Sequence, residues 1–365
     1  MADTALKALW QQAGFDKQVA LVAVGGFGRA ELYPHSDIDV LLLLPEFQST
    51  EIDLALTTRI ETFITSCWDA GLEIGSSVRT VQECLAEAEK DVTVQTALIE
   101  SRLVTGSASL FDTFHQQFQG TIDASAFFVA KTLEMSQRHT KFEDTPYALE
   151  PNCKESPGGL RDLQIILWVA RAAGYGKSWD DLEHSGLATA FEIKQLKRNA
   201  ALLQLIRIRL HLIANRREDR LVFDLQTAVA ATFGYEGISQ RKASEALMRR
   251  YYWAAKAVTQ LNQILLLNIQ ERINPNTYPL RPTNERFLDK AGMLEVASDD
   301  LYLREPHAIL ETFLVYETTV GIKGLSARTL RALYHARGVM DSQFRRDPVN
   351  RNTFRRILQQ PQGIT

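Results

Sequence analysis

The chain has 365 residues, 45% of them hydrophobic and 23% charged, with a formal net charge of −3 at neutral pH. That length and apolar content can bury a sizeable core in about two or three domains, while the near balance of charge argues against a nucleic-acid binder working through a broad basic surface. Three widely spaced cysteines, Cys67, Cys84 and Cys153, read as buried thiols of a reducing compartment; no signal-peptide run opens the chain and no stretch approaches the roughly 18 apolar residues of a membrane span, so a cytoplasmic protein is expected.

In chain order, residues 4–14 predict a short helix with Leu6, Leu9 and Trp10 on one face and Gly14 as its stop. Next comes LVAVGGFGRAELYPHSDIDVLLLL, residues 21–44: an apolar strand (Leu21–Val24), a glycine turn (Gly25–Gly28), a polar connection and a second apolar strand (Val40–Leu44). Asp37 and Asp39 stand at the entrance to that second strand. Residues two apart on a strand share a face, so these carboxylates point the same way and repel unless a cation or proton lies between them. A hard divalent ion suits that pair. The glycines let backbone N–H groups approach a phosphate, with Arg29 and the Ser36 hydroxyl nearby. A Walker loop is excluded because no Gly-Lys-Ser/Thr follows, and a dinucleotide fingerprint because a strand, not a helix, comes next.

Pro45–Thr50 predicts a surface loop, and a helix is expected from Glu51 to Gly71. Leu72–Thr80 reads as a third strand, Val81–Lys90 and Val92–Ile99 as helices, and Ser101–Val104 as extended. Together these predict a small mixed sheet backed by helices. Beyond residue 110 the periods become helical: Phe111–Phe118, Ala124–Arg138, Leu160–Ala173, 192–215, Asp224–Phe233 and Ser239–Gln270. Gly158 and Gly159 precede the Leu160 helix. They suit either an anion at the helix N-terminus, with Lys154 and Arg161 supplying charge, or a tight bend with Arg161 and Asp162 paired at the surface. The cationic side of 192–215 (Lys194, Lys197, Arg198, Arg207, Arg209) reads as a solvated face, and Arg216–Asp219 as a hinge loop. Pro275, Pro279 and Pro282 mark a boundary, followed by a short strand or loop pair at Phe287–Val296 and Leu301–Arg304 and helices near 306–317, 326–340 and 350–358, with Ser326 as an N-cap.

Gly-Gly-x-Gly-Arg-x-Glu-Leu followed by Pro-x-Ser-Asp-x-Asp and an apolar strand resembles the signature of the nucleotidyltransferase superfamily typified by DNA polymerase beta. In this wording it resembles the amino-terminal part of the bifunctional uridylyltransferase/uridylyl-removing family, and KESPGGLRD (residues 154–162) strengthens the likeness. The resemblance implies an α+β fold: a small mixed-sheet nucleotidyltransferase domain (1–110), a helical domain closing the nucleotide cleft (111–273) and a mostly helical segment (285–365). It implies transfer of UMP from UTP to a tyrosine hydroxyl of the PII signalling protein, with no nucleic-acid or membrane partner. Asp37 and Asp39 would hold Mg2+, and Gly25, Gly26 and Ser36 would cradle the outer phosphates with Arg29 in support. Lys154 and Arg161 would contact the triphosphate.

A third acid is expected from two-metal chemistry. Glu100, in Ile99-Glu-Ser-Arg, is favoured by similarity to an Asp-x-Arg of the superfamily, with Glu73 and Asp91 as rivals and a Glu100–Arg102 salt bridge as the competing reading. None of the seven histidines is followed by Asp, so the uridylyl-removing motif of the family is absent from this chain, and an excised amino-terminal fragment is expected. Two other functions stay open at this point: adenylyl or other nucleotidyl transfer to a protein or small hydroxylated acceptor, and a catalytically silent nucleotide-binding or PII-docking module.

Overall fold

Alternating burial builds the first half of the fold. In the computed structural model, which describes residues 1–15, 18–46, 54–235, 240–275 and 278–361, helix α1 (Ala2–Ala13) leads into strand β1 (Ala20–Ala23), a single helical turn α2 (Gly25–Gly28) and strand β2 (Ile38–Leu44). Helix α3 (Leu54–Asp69) then crosses to β3 (Ile74–Thr80), and α4 (Val81–Lys90) and α5 (Val92–Ile99) return the chain to β4 (Arg102–Gly106). The sheet order is β3-β2-β1-β4, with β1 antiparallel to both neighbours and β2 parallel to β3. Ala20, Val22, Leu41 and Leu43 pack on one face, while Leu21, Ala23, Val40 and Leu42 pack on the other against Leu6, Trp10 and Phe63. With both faces covered, the strands read as unbroken apolar runs.

The expected second strand starts two residues early, at Ile38, because Ile38 pairs with Ile74 and its N–H reaches Glu73 O at 2.8 Å. Asp39 therefore lies within β2 and Asp37 just before it. Most of the expected loop at Pro45–Thr50, the first residues of the helix expected from Glu51, and Ser239 lie outside the described residues.

Seven helices follow: α6 (Ala108–Thr121), α7 (Ala124–Lys141), α8 (Leu160–Ala172), α9 (Trp179–His184), α10 (Ala190–Ala214), α11 (Phe223–Thr232) and α12 (Gln240–Ile273). Side chains of Ser107, Asp123, Ser178 and Thr189 accept hydrogen bonds from first-turn N–H groups, which fixes where four of these helices begin. The short α9 was not expected; six residues are too few to show a period, and its capping box at Ser178–Asp181 is the signal that marks it. Phe114, Phe118, Phe127, Leu163, Leu210 and Tyr251 share one core with Leu41 and Leu43, so the helices lie directly on the sheet.

The remainder has its own core around Phe287, Leu294, Val296 and Tyr302. Strands β5 (Arg281–Pro282), β6 (Phe287–Lys290), β7 (Met293–Val296) and β8 (Gly324–Leu325) form a second sheet in that order. Leu301–Arg304, expected as a strand or loop, is instead one helical turn whose Leu301 and Tyr302 are buried. Ser326 caps the helix Ala327–Ala336 through Thr329 N–H, as expected. From that helix Arg331 reaches the fully buried Glu192 of α10 at 2.7 Å. The three cysteines are buried and free, and no helix among the described residues is long and apolar enough to cross a membrane.

Candidate active site

Gly25 enters the α2 turn at φ 56°, a left-handed conformation that glycine adopts without strain. A Cβ there would sit 3.5 Å from Asp39 Oδ2, and one on Gly28 would fall 2.1 Å from the carbonyl oxygen of Glu100. The two glycines thus do different things. Gly25 brings backbone up to the carboxylates, and Gly28 lets α2 close on the end of α5.

Asp37 and Asp39 are exposed while Ile38 and Val40 are buried, so the pair projects to one side as strand geometry requires. Burial and the neighbouring Asp37 charge push the Asp39 carboxyl above its usual range, with Arg217 and Lys154 pulling the other way. Arg217 Nη1 donates to Asp37 Oδ2 at 2.7 Å. Across the parallel ladder Asp39 is in register with Gly75, where a Cβ would come 2.8 Å from Asp39 Oδ1. Gly75 keeps that space clear. Sequence reasoning passed over it because it sits inside a strand with no turn beside it.

The carboxylates open onto a cavity of about 320 Å³ whose wall includes Gly25, Gly26, Arg29, Ser36, Asp37, Asp39, Glu100, Lys154 and Arg161. Every residue expected at the site is therefore brought together. A larger groove of about 640 Å³, lined by Tyr147, Leu149, Phe223 and Trp253, is mostly apolar and lacks adjacent carboxylates.

Glu100 requires a correction. It is 5% exposed; its Oε2 accepts from Arg29 and its Oε1 from Trp168 Nε1. Among the described residues no three His, Cys, Asp or Glu side chains gather into a group that could hold a metal. Glu100 borders the cavity, but its oxygens are turned to a guanidinium and an indole N–H and it does not gather with Asp37 and Asp39 into a three-carboxylate group. It positions Arg29, which also donates to Glu31 at 3.0 Å. Arg102, the partner in the competing reading, binds Asp3 at 2.7 and 3.1 Å instead. Of the rivals, Asp91 caps α5 through Thr93 N–H at 2.6 Å, and Glu73 is exposed ahead of β3.

The start of α8 also differs from the anion-site expectation. Gly158 N–H donates to Asp162 Oδ2 at 2.7 Å, Gly159 N–H to Ser156 O, and Leu160 N–H to Cys153 O, so these donors are used internally. Gly158 is glycine because a Cβ would fall 2.2 Å from Ala255 O. The bend is thus a packing device. Its Asp162 is fully buried and bonded to Arg138 and His139, not paired with Arg161 at the surface. Of residues 154–162, Lys154 and Arg161 line the cavity. Arg161 donates to Gln164 and Glu155 and lies 5.2 Å from the Trp168 ring.

Four further cavity residues escaped sequence reasoning. Arg207 does not belong to a solvated face: it is buried, bonded to Asp219 at 2.6 Å and set 4.1 Å from the Tyr33 ring. The segment expected as a hinge delivers Arg217 to Asp37 and Asp219 to Arg207. Lys131 is 2% exposed, 4.6 Å from the Trp168 ring and 2.5 Å from Glu134; burial lowers its pKa, partly offset by Glu134. Trp168 of α8 is buried in the same core as Leu163 and Ile166 and also lines the cavity. The cavity thus gathers Arg29, Lys131, Lys154, Arg161, Arg207 and Arg217 around its acids, a field suited to a polyanion.

Residues 126–266 match the family model described as GlnD PII-uridylyltransferase, and residues 287–365 the one described as Uridylyltransferase GlnD third domain. The bifunctional uridylyltransferase/uridylyl-removing enzyme of Ralstonia nicotianae is 60% identical over 364 residues, covering 100% of this chain and 42% of that protein. Those of Burkholderia mallei and Burkholderia pseudomallei are also 60% identical over 365 residues, again covering 42% of the relative. The chain thus spans 42% of the length of these curated relatives, and with both family models and full-chain identity in agreement it belongs to the GlnD uridylyltransferase family.

Proposed function

We propose that this chain carries the uridylyl-transferring part of the family's activity: UMP passes from UTP to a tyrosine hydroxyl of a PII signalling protein in the cytoplasm. The observation that carries the reading is the Asp37–Asp39 pair on one face of β2, set between the α2 glycines and a wall of cations. The division of labour follows the three segments 1–110, 111–273 and 285–365, with the first two lining the cleft.

The donor set fits a hard divalent cation such as magnesium. Burial and the neighbouring Asp37 charge raise the proton affinity of Asp39, and Asp39 lies beside Gly25 and Gly75, whose missing side chains leave room. Such an ion, when bound, supplies positive charge to the triphosphate and the departing pyrophosphate. Lys154, Arg161 and Arg207 bind the phosphate oxygens, and each is held in place by a neighbour: Glu155 for the first two and Asp219 for the third. Arg29, fixed by Glu100 and Glu31, offers charge beside the Gly26 backbone, 3.7 Å from where a Cβ on Gly26 would sit. In the reaction the acceptor oxygen bonds to the α-phosphorus as the bond to the pyrophosphate oxygen breaks, and the hydroxyl proton leaves to a carboxylate or to water.

The test is transfer of α-phosphate label from each of the four nucleoside triphosphates to PII in magnesium buffer. Label from UTP alone, lost by orders of magnitude in Asp39→Asn while circular dichroism stays unchanged, is the expected result. Near-normal transfer by Asp39→Asn would overturn the reading.

A further inference from the structure

Part of the cavity wall has no phosphate-binding task in the reading above. Lys131 and Glu134 of α7 and Gln164 of α8 all line it. Lys131 and Glu134 stand three residues apart on one helix face, their charged ends 2.5 Å apart. Lys131 is almost wholly buried, with its ammonium held over the Trp168 ring, while Glu134 is 40% exposed. The Trp168 indole is itself anchored by Glu100. An ion pair with one partner buried and the other open to the cavity adds little to stability, so its place on the wall is available to a ligand. Gln164 points the same way. It is a buried residue that lines the cavity, its Oε1 accepting from Arg161 at 3.0 Å and its amide nitrogen donating to no described residue.

We propose that Lys131, Glu134 and Gln164 form the nucleobase-reading subsite and select uracil by its hydrogen-bonding edge. The inference rests on the cavity being a nucleoside triphosphate site. Uracil presents acceptor, donor, acceptor (O4, N3–H, O2), and the three side chains present donor, acceptor, donor. Lysine has three N–H donors and a carboxylate about four acceptor positions, so both can serve the base without giving up their own pair. Cytosine sets its amine against the Lys131 ammonium and its bare N3 against the Glu134 carboxylate. Adenine does the same with N6 and N1. Guanine matches the first two groups and fails at the third, where its exocyclic amine meets the Gln164 amide nitrogen. Mispaired polar groups in a confined site carry the discrimination.

The experiment is equilibrium binding by calorimetry, without acceptor protein, of UTP, CTP and inorganic tripolyphosphate to the wild type, Glu134→Gln and Lys131→Met. Wild type should prefer UTP over CTP by at least about tenfold. Glu134→Gln keeps a half-exposed amide that can rotate to donate to cytosine N3. That variant should lose most of the preference, with tripolyphosphate affinity unchanged. Lys131→Met should weaken UTP selectively. An undiminished UTP/CTP ratio in Glu134→Gln, with a native circular dichroism spectrum, would overturn the proposal even if Lys131→Met failed to fold. A wild type that binds tripolyphosphate but no nucleotide selectively overturns the base subsite alone. One that binds neither removes the underlying reading and the subsite with it.

Discussion

Alanine at Gly26 and at Gly28, two positions of one turn, should separate function from folding. At Gly28 a methyl group would fall 2.1 Å from Glu100 O and 3.0 Å from Ala23 O. Both are backbone atoms, one held by the end of α5 and the other by the sheet. Relief requires the α2 turn or the α5–β4 junction to move by about 1 Å, an overpacking whose cost is about 3 kcal/mol or more. For a chain of this size, with about 2.1 cal/mol/K of unfolding entropy per residue, that lowers the melting temperature by about 4 °C or more. At Gly26 the nearest atoms are Glu31 O at 3.5 Å and the Arg29 guanidinium at 3.7 Å, which is ordinary contact. Gly26→Ala should therefore melt within about 2 °C of wild type, with the reduced unfolded-state entropy of alanine acting in its favour. Its methyl group, however, enters the cavity at the proposed phosphate site, and a displacement of about 1 Å there should cost roughly 100-fold in turnover. Scanning calorimetry and initial transfer rates on both variants read out the contrast. A Gly28→Ala protein that melts like wild type, or a Gly26→Ala protein with full activity, would refute the reasoning.

Other perturbations test the network around the cavity. Burial opposes the Asp162 charge, but hydrogen bonds and charges from His139 and Arg138 outweigh it and hold the carboxyl below its usual range. A depressed folded-state pKa gives stability that is present above the unfolded value of about 3.9 and is lost as pH falls through the folded value. Urea midpoints of wild type should therefore drop steeply below about pH 4, while Asp162→Asn should start lower at pH 7 and fall less in that window. Arg331→Ala leaves the buried Glu192 with only His335 at 3.4 Å and its own cap, and should cost about 3 kcal/mol by chemical denaturation; a loss under 1 kcal/mol would count against it. The Arg217–Asp37 pair is half exposed and worth about 0–1 kcal/mol, so Arg217→Ala should bind manganese up to about fivefold tighter while losing tripolyphosphate affinity. Weaker manganese binding in that variant would mean that Arg217 holds Asp37 in its ligating orientation.

The sheet was legible because its strands obey a local rule. Unbroken apolar runs at 21–24 and 40–44, separated by glycines and a polar turn, leave few alternatives. The helices beyond residue 110 were legible for a similar reason, through apolar repeats at three and four residues. Failures came where a residue's role depends on a neighbour distant in sequence. Leu301–Arg304 is too short to carry a period, so its helical turn follows from burial of Leu301 and Tyr302 in the third core.

The site divides along the same line. Asp37, Asp39, Gly25 and Gly26 lie within one short stretch, and strand periodicity alone puts the carboxylates on a common face. Glu100 is different. Whether a buried glutamate holds a metal or a guanidinium depends on what the fold sets beside it, and here Arg29 is 71 residues away and Trp168 68. Arg207 looked like one of several solvated cations on an amphipathic helix because its partner Asp219 follows the helix end, across a left-handed Asn215. Helical period predicts which positions share a face; it does not say which face another element will cover. On the proposed reading the chemistry of attack is written locally in β2, while the side chains that would choose and hold a nucleotide arrive from α7, α8 and α10 and line the cavity only once those helices have packed against the sheet.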